Sequence, residues 1–303
     1  MKHCILSSWF LIVCCAVCCL VVPAPVMAQQ AAADSKISGK RISEDGSEQL
    51  RVMSFNIRYG LAKDGDNSWP NRDSFVADVA KEFRPDLLGI QEAMGFQADY
   101  LKQQMPDWKY FGTSRDANNQ GEQCGIFVRT SRFEILNDGQ FWLSETPDIK
   151  FSKSWDSSLP RIATWVHLKD KVTGKNIVYL NTHFDHRGAE ARLKSAQIIR
   201  EFVDKRKKNH TIIVTGDFNC GVQSLPYNAL LATDRLNDTW QTAHPTKTMK
   251  EGTFNGFQGK DDGARIDWVL CSPSFSVIEA VIVKTSRNGK FPSDHFPVTA
   301  VLK

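Results

Sequence analysis

Hydrophobic positions along the chain fall into short runs with two different periods. Leu50–Ile57 alternates in part between apolar and polar side chains and predicts a strand. Arg72–Phe83 sets Phe75, Val76, Val79 and Phe83 on one face of a helix, which Pro85 closes. Leu87–Gln91 is a short apolar run, so a buried strand, and Phe96–Gln104 reads as a helix ended by Pro106. The pattern then turns to β. Gly125–Arg129, Phe133–Leu136, Ile162–Leu168 and Ile177–Asn181 are short, β-branched or aromatic, and punctuated by Asn-Asp-Gly and Thr-Gly turn signals. Ala189–Lys207 is an amphipathic helix with Leu193, Ala196, Ile199 and Val203 facing inward. The cations Lys205, Arg206, Lys207 and Lys208 end it, and at a helix C-terminus they complement the dipole more simply than they make a phosphate patch. Thr211–Thr215, Arg265–Cys271, Val277–Val283 and Pro297–Leu302 complete the strands. Many short strands with few helices predict two packed β-sheets flanked by helices, an α/β sandwich. A doubly wound α/β fold fits less well, because the middle strands come in runs without helices between them.

The N-terminus changes what counts as the folded chain. A short positive start at Lys2 and His3 is followed by an apolar run from about Cys4 to Val22, then Pro23 and Pro25. Val26 and Ala28 supply the small residues of a signal-peptidase site, so residues 1–28 read as a cleaved signal peptide and the protein as secreted or periplasmic. The prolines and the cleavage site count against an uncleaved membrane anchor. Cys14, Cys15, Cys18 and Cys19 follow Val or Cys, not the small residues of a lipoprotein signal. Removing residues 1–28 takes Cys4, Cys14, Cys15, Cys18 and Cys19 with them and leaves Cys124, Cys220 and Cys271. These do not build a disulfide framework and read as small buried hydrophobes. Lys2 is the only formal charge removed, so the net charge falls from +4 to +3, too mild to declare a nucleic-acid binder. Residues 29–49 lack apolar periodicity and read as a flexible lead-in. Residues 50–303 are expected to form a single domain, acting as a monomer with no membrane anchor left after cleavage.

Candidate chemistry recurs where the apolar strands end. Asn56 sits in S-F-N-I, Glu92 follows L-L-G-I-Q, and His183 closes L-N-T-H. Asp217 and Asn219 follow I-I-V-T-G, Asp267 lies in R-I-D-W, and Asp294 and His295 precede F-P-V. Buried carboxylates are costly unless they are paired or bind a metal. Singly, each has a structural reading: Asp217 as a turn residue, Glu92 as a helix N-terminal charge, Asp294 as a turn-forming Asp. Their joint occurrence points instead to one site of chemistry. Phosphoester hydrolysis, the activity that the resemblance described below implies, needs positive charge on the phosphoryl oxygens and a deprotonated water. A hard divalent ion supplies the first, with Mg²⁺ the default and Mn²⁺ its substitute. Glu92, Asn56 and Asp294 are the expected metal contacts, and no zinc-type His or Cys spacing is present.

The six segments together resemble the endonuclease/exonuclease/phosphatase superfamily, in the pattern nearest its deadenylase-like bacterial branch. They span residues 51–303. The resemblance implies a four-layered α/β sandwich with two mixed sheets. It also implies roles: Asp217 orienting or deprotonating the attacking water, and Asn219 holding the phosphate or the nucleophile. His295, oriented by Asp267, donates to a phosphoryl oxygen, and His183 contacts the same phosphate or assists the leaving group. The general base stays open between Asp217 and the His295–Asp267 pair. His167, in W-V-H-L, reads as structural.

Substrate choice is less legible. Arg161, His186, Phe254 and Asn255 are the candidate substrate contacts, and Trp69 and Trp155 sit in polar loops that suit a cleft mouth. No long basic stripe tracks a polynucleotide, so nucleic acid stays open as a partner without being favoured by charge. The reading is a secreted Mg²⁺-dependent phosphoesterase acting on a phosphate ester. Nuclease, sugar or inositol phosphatase and sphingomyelinase-like phospholipase C remain open within it. The competing class is a catalytically silent module that binds a phosphorylated glycan or lipid.

Overall fold

The computed structural model describes residues 49–206, 210–246 and 251–303. The signal-peptide segment and nearly all of the lead-in lie outside the described residues, as do Lys207 and Lys208 of the basic cluster. In chain order the elements begin with β1 (Leu50–Asn56), α1 (Asp73–Phe83), β2 (Leu87–Ala93), α2 (Gly95–Gln104), β3 (Trp108–Phe111) and β4 (Gln123–Arg129). β5 (Phe133–Trp142), β6 (Ile162–Asp170), β7 (Asn176–His183), α3 (Ala189–Arg206), β8 (Thr211–Asp217) and α4 (Leu225–Leu231) follow. β9 (Asn237–Asp238), α5 (Thr239–Ala243), β10 (Asp267–Cys271), β11 (Val277–Ile282) and β12 (Val298–Leu302) close the series.

The strands form two six-stranded sheets, ordered β11-β12-β1-β2-β4-β3 and β5-β6-β7-β8-β10-β9. Both are mixed: β1 runs parallel to β2 and β7 parallel to β8, and the remaining pairs are antiparallel. Period-two alternation sends each strand's apolar side chains to two different cores. Val52 and Leu87 of one sheet meet Val166, Tyr179, Ile213 and Val269 of the other between the sheets. The opposite faces bury Met53, Phe55, Leu88 and Ile90 against Phe75, Val79 and Phe83 of α1. On the second sheet Leu180, Val214 and Trp268 pack against Ile199, Val203 and Leu230. Helix, sheet, sheet, helix is the four-layered sandwich expected.

Some local expectations shift. The Asn-Asp-Gly at 137–139 is not a turn: β5 continues through it to Trp142, with a bulge between Ile135 and Asn137. Gly139 is needed there because a Cβ would stand 2.8 Å from the Trp165 ring on the neighbouring strand. β3, α4 and the short β9 and α5 carry too few apolar positions to show a period. Trp69 is no cleft-mouth residue; it is buried in the α1 core, edge-on to Tyr100. Within the described residues α3 runs to Arg206, whose guanidinium bonds the Phe202 carbonyl at 3.3 Å and covers the Phe202 ring. All three described cysteines are free.

One polar link crosses between the sheets. Asn181 donates through Nδ2 to the carbonyls of Ile90 and Gly125, at 2.8 and 2.9 Å. Its Oδ1 accepts from Gln91 Nε2 at 2.7 Å and Thr215 Oγ1 at 3.1 Å. Gly89 makes room for it, since a Cβ there would meet Asn181 Oδ1 and Thr215 Oγ1 at 2.5 Å. Buried amide groups left without partners cost about 1–3 kcal/mol each, so Asn181→Ala is expected to destabilise the domain by on the order of 3 kcal/mol in chemical denaturation. A loss below about 1 kcal/mol would mean that apolar packing alone holds the two sheets in register.

Candidate active site

Strand ends from both sheets converge on one cleft. Register aligns His183, Asp217 and Asp267 in a row across β7, β8 and β10. From the other sheet, β1 ends at Asn56, β2 carries Glu92 near its end, and Asp294 and His295 lead into β12. Two strained backbone positions aim the side chains. Glu92 has φ of 61°, and the β2–β4 pairing shifts register between Ile90 and Ala93, so the bulge turns Glu92 out of the sheet's alternation. Asn219 has φ of 49°, and its backbone N–H closes a tight turn on Asp217 Oδ1 at 2.9 Å.

The cleft is a cavity of about 550 Å³ lined by Glu92, His183, Asp217, Asn219, Asp294 and His295, with Arg161, His186 and Phe254 also in its wall. Asn56 and Asp267 stand behind these residues and touch them. Asn56 Nδ2 donates to Glu92 Oε1 and to Asp217 Oδ2, both at 2.9 Å, and so bridges two carboxylates from different sheets. Its Oδ1 accepts the Arg58 N–H at 3.0 Å. Carboxylates accept and do not donate, which fixes this amide orientation. The expectation that Asn56 offers an oxygen to a metal is therefore corrected: it holds Glu92 and Asp217 together through its nitrogen.

Of the two jobs expected of Asn219, the geometry disfavours the phosphate and leaves the nucleophile. Asn219 Nδ2 donates to the Phe184 carbonyl at 3.0 Å and faces His183 Nε2 at 2.9 Å, so no amide proton is left to hold a phosphate. Because Nε2 accepts, His183 carries its proton on Nδ1. Burial, reinforced by Arg161 and Arg115, keeps the His183 pKa well below its ordinary value, and the ring is neutral. Asn255 is corrected too. It is buried, with Nδ2 on the Ser293 carbonyl and Oδ1 on the Phe257 N–H, and it braces the loop without reaching the cavity.

His295 behaves oppositely to His183. Burial lowers its pKa, but Asp267 and Asp217 outweigh burial and raise it well above the ordinary histidine value. Asp267 Oδ2 accepts from Nδ1 at 2.9 Å, and Nε2 lies 3.7 Å from Asp217 Oδ2. Asp217 is pushed up to about 7, by burial first and the Asp267 charge second. Burial and the Glu92 charge also raise Asp294, whose Oδ2 lies 3.5 Å from Arg58 Nη1.

Ligand atoms of Glu92, His183 and Asp217 lie within 4.8 Å of one another, as do those of Asp217, Asp267 and His295. Protons already satisfy the second trio. In the first, crowded carboxylate oxygens with one neutral amide between them suit a hard divalent cation.

Several residues were not visible as site residues in the sequence. Arg58 pairs with Asp64 through Nε at 2.9 Å and with Asp294. Its position two residues after Asn56 was the available signal. Arg72 is buried and donates to the carbonyls of Ile57, Arg58 and Pro292, tying together the loops that carry Arg58 and Asp294; burial lowers its pKa to about 10. Glu122 lines the cavity and accepts from Arg115 Nη1 and Nη2 at 2.9 and 3.0 Å. It comes from a polar loop that carries no pattern. His167 stays outside the cavity, edge-on to His210.

Comparison with known proteins places this geometry. A Bacteroides thetaiotaomicron protein of the endonuclease/exonuclease/phosphatase family is 34% identical and superposes with a TM-score of 0.77, covering 84% of this chain and 97% of its own. A mannosyl-6-phosphatase from the same organism is 35% identical with a TM-score of 0.76, over 84% of this chain and 99% of its own. The human Nocturnin catalytic domain shares the fold at 20% identity, TM-score 0.67, over 84% of this chain and 93% of its own. A protein of Acanthamoeba polyphaga mimivirus is 24% identical over 207 residues, and the chain spans 30% of that protein's length. The match to the family described as Endonuclease/Exonuclease/phosphatase runs over residues 53–295, and the chain belongs to that family, whose members are hydrolytic phosphoesterases.

Proposed function

We propose that the protein is an exported, Mg²⁺-dependent phosphoesterase that acts as a monomer on a small phosphorylated sugar. The observation that carries the chemistry is Asp217, a buried carboxylate pushed up to about 7 within reach of a charged histidine and opposite Glu92. The 35% identical mannosyl-6-phosphatase and the compact cavity support the substrate class. Export follows from the signal-peptide pattern of residues 1–28.

A bound divalent cation, held by Glu92 with Asp294 and Asp217 nearby, supplies positive charge to the phosphoryl oxygens and acidifies water. The chain's residues do the rest. Asp217 Oδ2 takes a proton from the attacking water, and Asn219 Oδ1, its amide protons spent elsewhere, accepts from the same water. His295, held protonated by Asp267, donates Nε2–H to a phosphoryl oxygen. It is therefore the donor, and Asp217 the base. His183, neutral with its proton on Nδ1, donates to the phosphate without changing charge. The water oxygen bonds to phosphorus as the bond to the leaving oxygen breaks with its electron pair; the leaving oxygen takes up a proton, and Asp217 gives up the one it took.

Hydrolysis of p-nitrophenyl phosphate or its bis-ester with Mg²⁺ or Mn²⁺, abolished by chelator, is the expected activity. Glu92→Ala and His295→Ala are each expected to lower kcat at least ~100-fold. Full activity in both variants contradicts the site. Calorimetric binding of phosphoesters with no turnover of any would instead favour a silent binding module.

The pH profile of kcat/KM should be bell-shaped. The acid limb marks the carboxylate form of Asp217 becoming available; burial and the Asp267 charge raise it, and a bound cation's charge lowers it. The alkaline limb, well above ordinary histidine titration, marks loss of the His295 proton. Removing the Asp267 charge weakens what raises both groups, so in Asp267→Asn both limbs should move to lower pH and the maximum should fall. A variant whose limbs stay in place would show that neither group sets them.

A further inference from the structure

Part of the cavity wall has no task in phosphate or cation chemistry: Glu122, Leu159, Arg161, His186 and Phe254. Arg161 is only 4% exposed, and its guanidinium is incompletely used. Nε reaches Asp185 Oδ2 at 3.4 Å and Nη2 faces His186 Nδ1 at 2.9 Å, while Nη1 has no acceptor among the described residues. A buried donor in that condition costs about 1–3 kcal/mol. Nη1 has almost no accessible surface, so a ligand oxygen recovers that cost once the guanidinium turns toward the cavity that Arg161 lines. Glu122 complements it. Its oxygens accept the Arg115 fork at 2.9 and 3.0 Å, which occupies two of a carboxylate's roughly four acceptor directions. The other two remain for donors.

Charge decides what this wall recognises. Arg115 is paired with Glu122, whose pKa burial raises against the pull of the Arg115 charge, and Arg161 is paired with Asp185. Asp185 is fully buried and, though burial opposes it, backbone and serine donors from Gly188, Ser158 and Arg187 keep its pKa well below the carboxylate range, so it carries its charge. His186 Nδ1 accepts from Arg161, and burial with the Arg161 charge lowers the ring's pKa, leaving it neutral with an N–H on Nε2. Among the residues lining this wall no cation is left unpaired; a second phosphate, which calls for unpaired cations, would have to draw on Arg187, which borders His186 but is not in the lining. What remains is a neutral alternation of donor and acceptor. Beside it Phe254, 51% exposed, lines the same cavity, its ring edge-on to His295 at 5.2 Å and its backbone bridged to the His295 strand entry.

We propose that this wall is the leaving-group subsite for a carbohydrate. Arg161 Nη1 and the free acceptor directions of Glu122 bind adjacent ring hydroxyls, and Phe254 covers an apolar face of the same ring. Each hydroxyl both donates and accepts, so a vicinal pair fits a guanidinium beside a carboxylate, and the C–H face of a pyranose fits an exposed aromatic ring. This subsite rests on the phosphoesterase reading and refines its substrate.

The test compares kcat/KM for a hexose 6-phosphate with that for p-nitrophenyl phosphate, both with Mg²⁺, in the wild type, Arg161→Lys, Glu122→Gln and Phe254→Ala. Arg161→Lys keeps the charge but loses the fork, and Glu122→Gln keeps the shape but loses one acceptor. In both, the ratio of sugar phosphate to p-nitrophenyl phosphate should fall by about tenfold or more, with the loss carried by KM. Phe254→Ala should lower the same ratio by about threefold or more. Equal losses on both substrates overturn the subsite, as does a wild-type preference for a hexose bisphosphate or a nucleotide over the monophosphate. A wild type that cleaves p-nitrophenyl phosphate but no hexose phosphate also overturns it while leaving the phosphoesterase reading intact. A wild type that cleaves neither overturns both. Should Arg161→Lys fail to fold, Glu122→Gln decides.

Discussion

Two unit charges 4 Å apart interact by about 4 kcal/mol where the effective dielectric is near 20. Glu92, Asp217, Asp267 and Asp294 converge on one cleft in which all but Glu92 are buried. Most of the local architecture can be understood as management of that repulsion. Asn56 places an amide between Glu92 and Asp217, and Arg58 stands against Asp294. His295 takes up a proton between Asp267 and Asp217. The charge left over after these devices is negative. It lies where a divalent cation and a phosphate would meet.

The same repulsion separates the two histidines into different jobs. Both are buried, and burial alone keeps an imidazole neutral. His295 bonds Asp267 directly at 2.9 Å and is charged; His183, though 3.5 Å from Asp217 and 3.9 Å from Glu122, sets Nε2 on the Asn219 amide with Arg161 and Arg115 nearby, and is neutral. Proton donor and fixed dipole thus stand beside one base. This division depends on the sandwich holding its strand ends in register, which is the work of the link from Asn181 to Ile90, Gly125, Gln91 and Thr215 beneath the cleft. The motifs around His183 and Glu92 therefore carry two roles: their terminal residues face the cavity, and the residues just before them join the sheets.

Much of the fold was legible because burial imposes a period: β1, β2, α1, α3 and β8 each have a face that must be apolar, and their cores match the pattern apart from Leu193 of α3, which is only half-buried. β3 and α4 were not legible, being short and only partly buried. Trp69 misled because its polar neighbours conceal a fully packed ring. At the site, Glu92, His183, Asp217, Asp294 and His295 stood out as polar residues at the ends of apolar runs. The differences at Asn56 and Asn255, and the phosphate role set aside at Asn219, share a cause. An amide presents either an oxygen or a nitrogen, and the choice is made by partners such as Asp217, 161 positions from Asn56. Glu122 and Arg72 act through contacts across the fold, with no local signature.

The central claim is that the carboxylate cluster around Glu92 is incomplete without a hard cation. Calorimetric titration of Mg²⁺ into the protein, in the absence of substrate, tests it independently of turnover. Saturable binding in the wild type, lost or greatly weakened in Glu92→Gln, is the predicted result. Identical titrations for the two proteins, whether both bind or neither does, would contradict it.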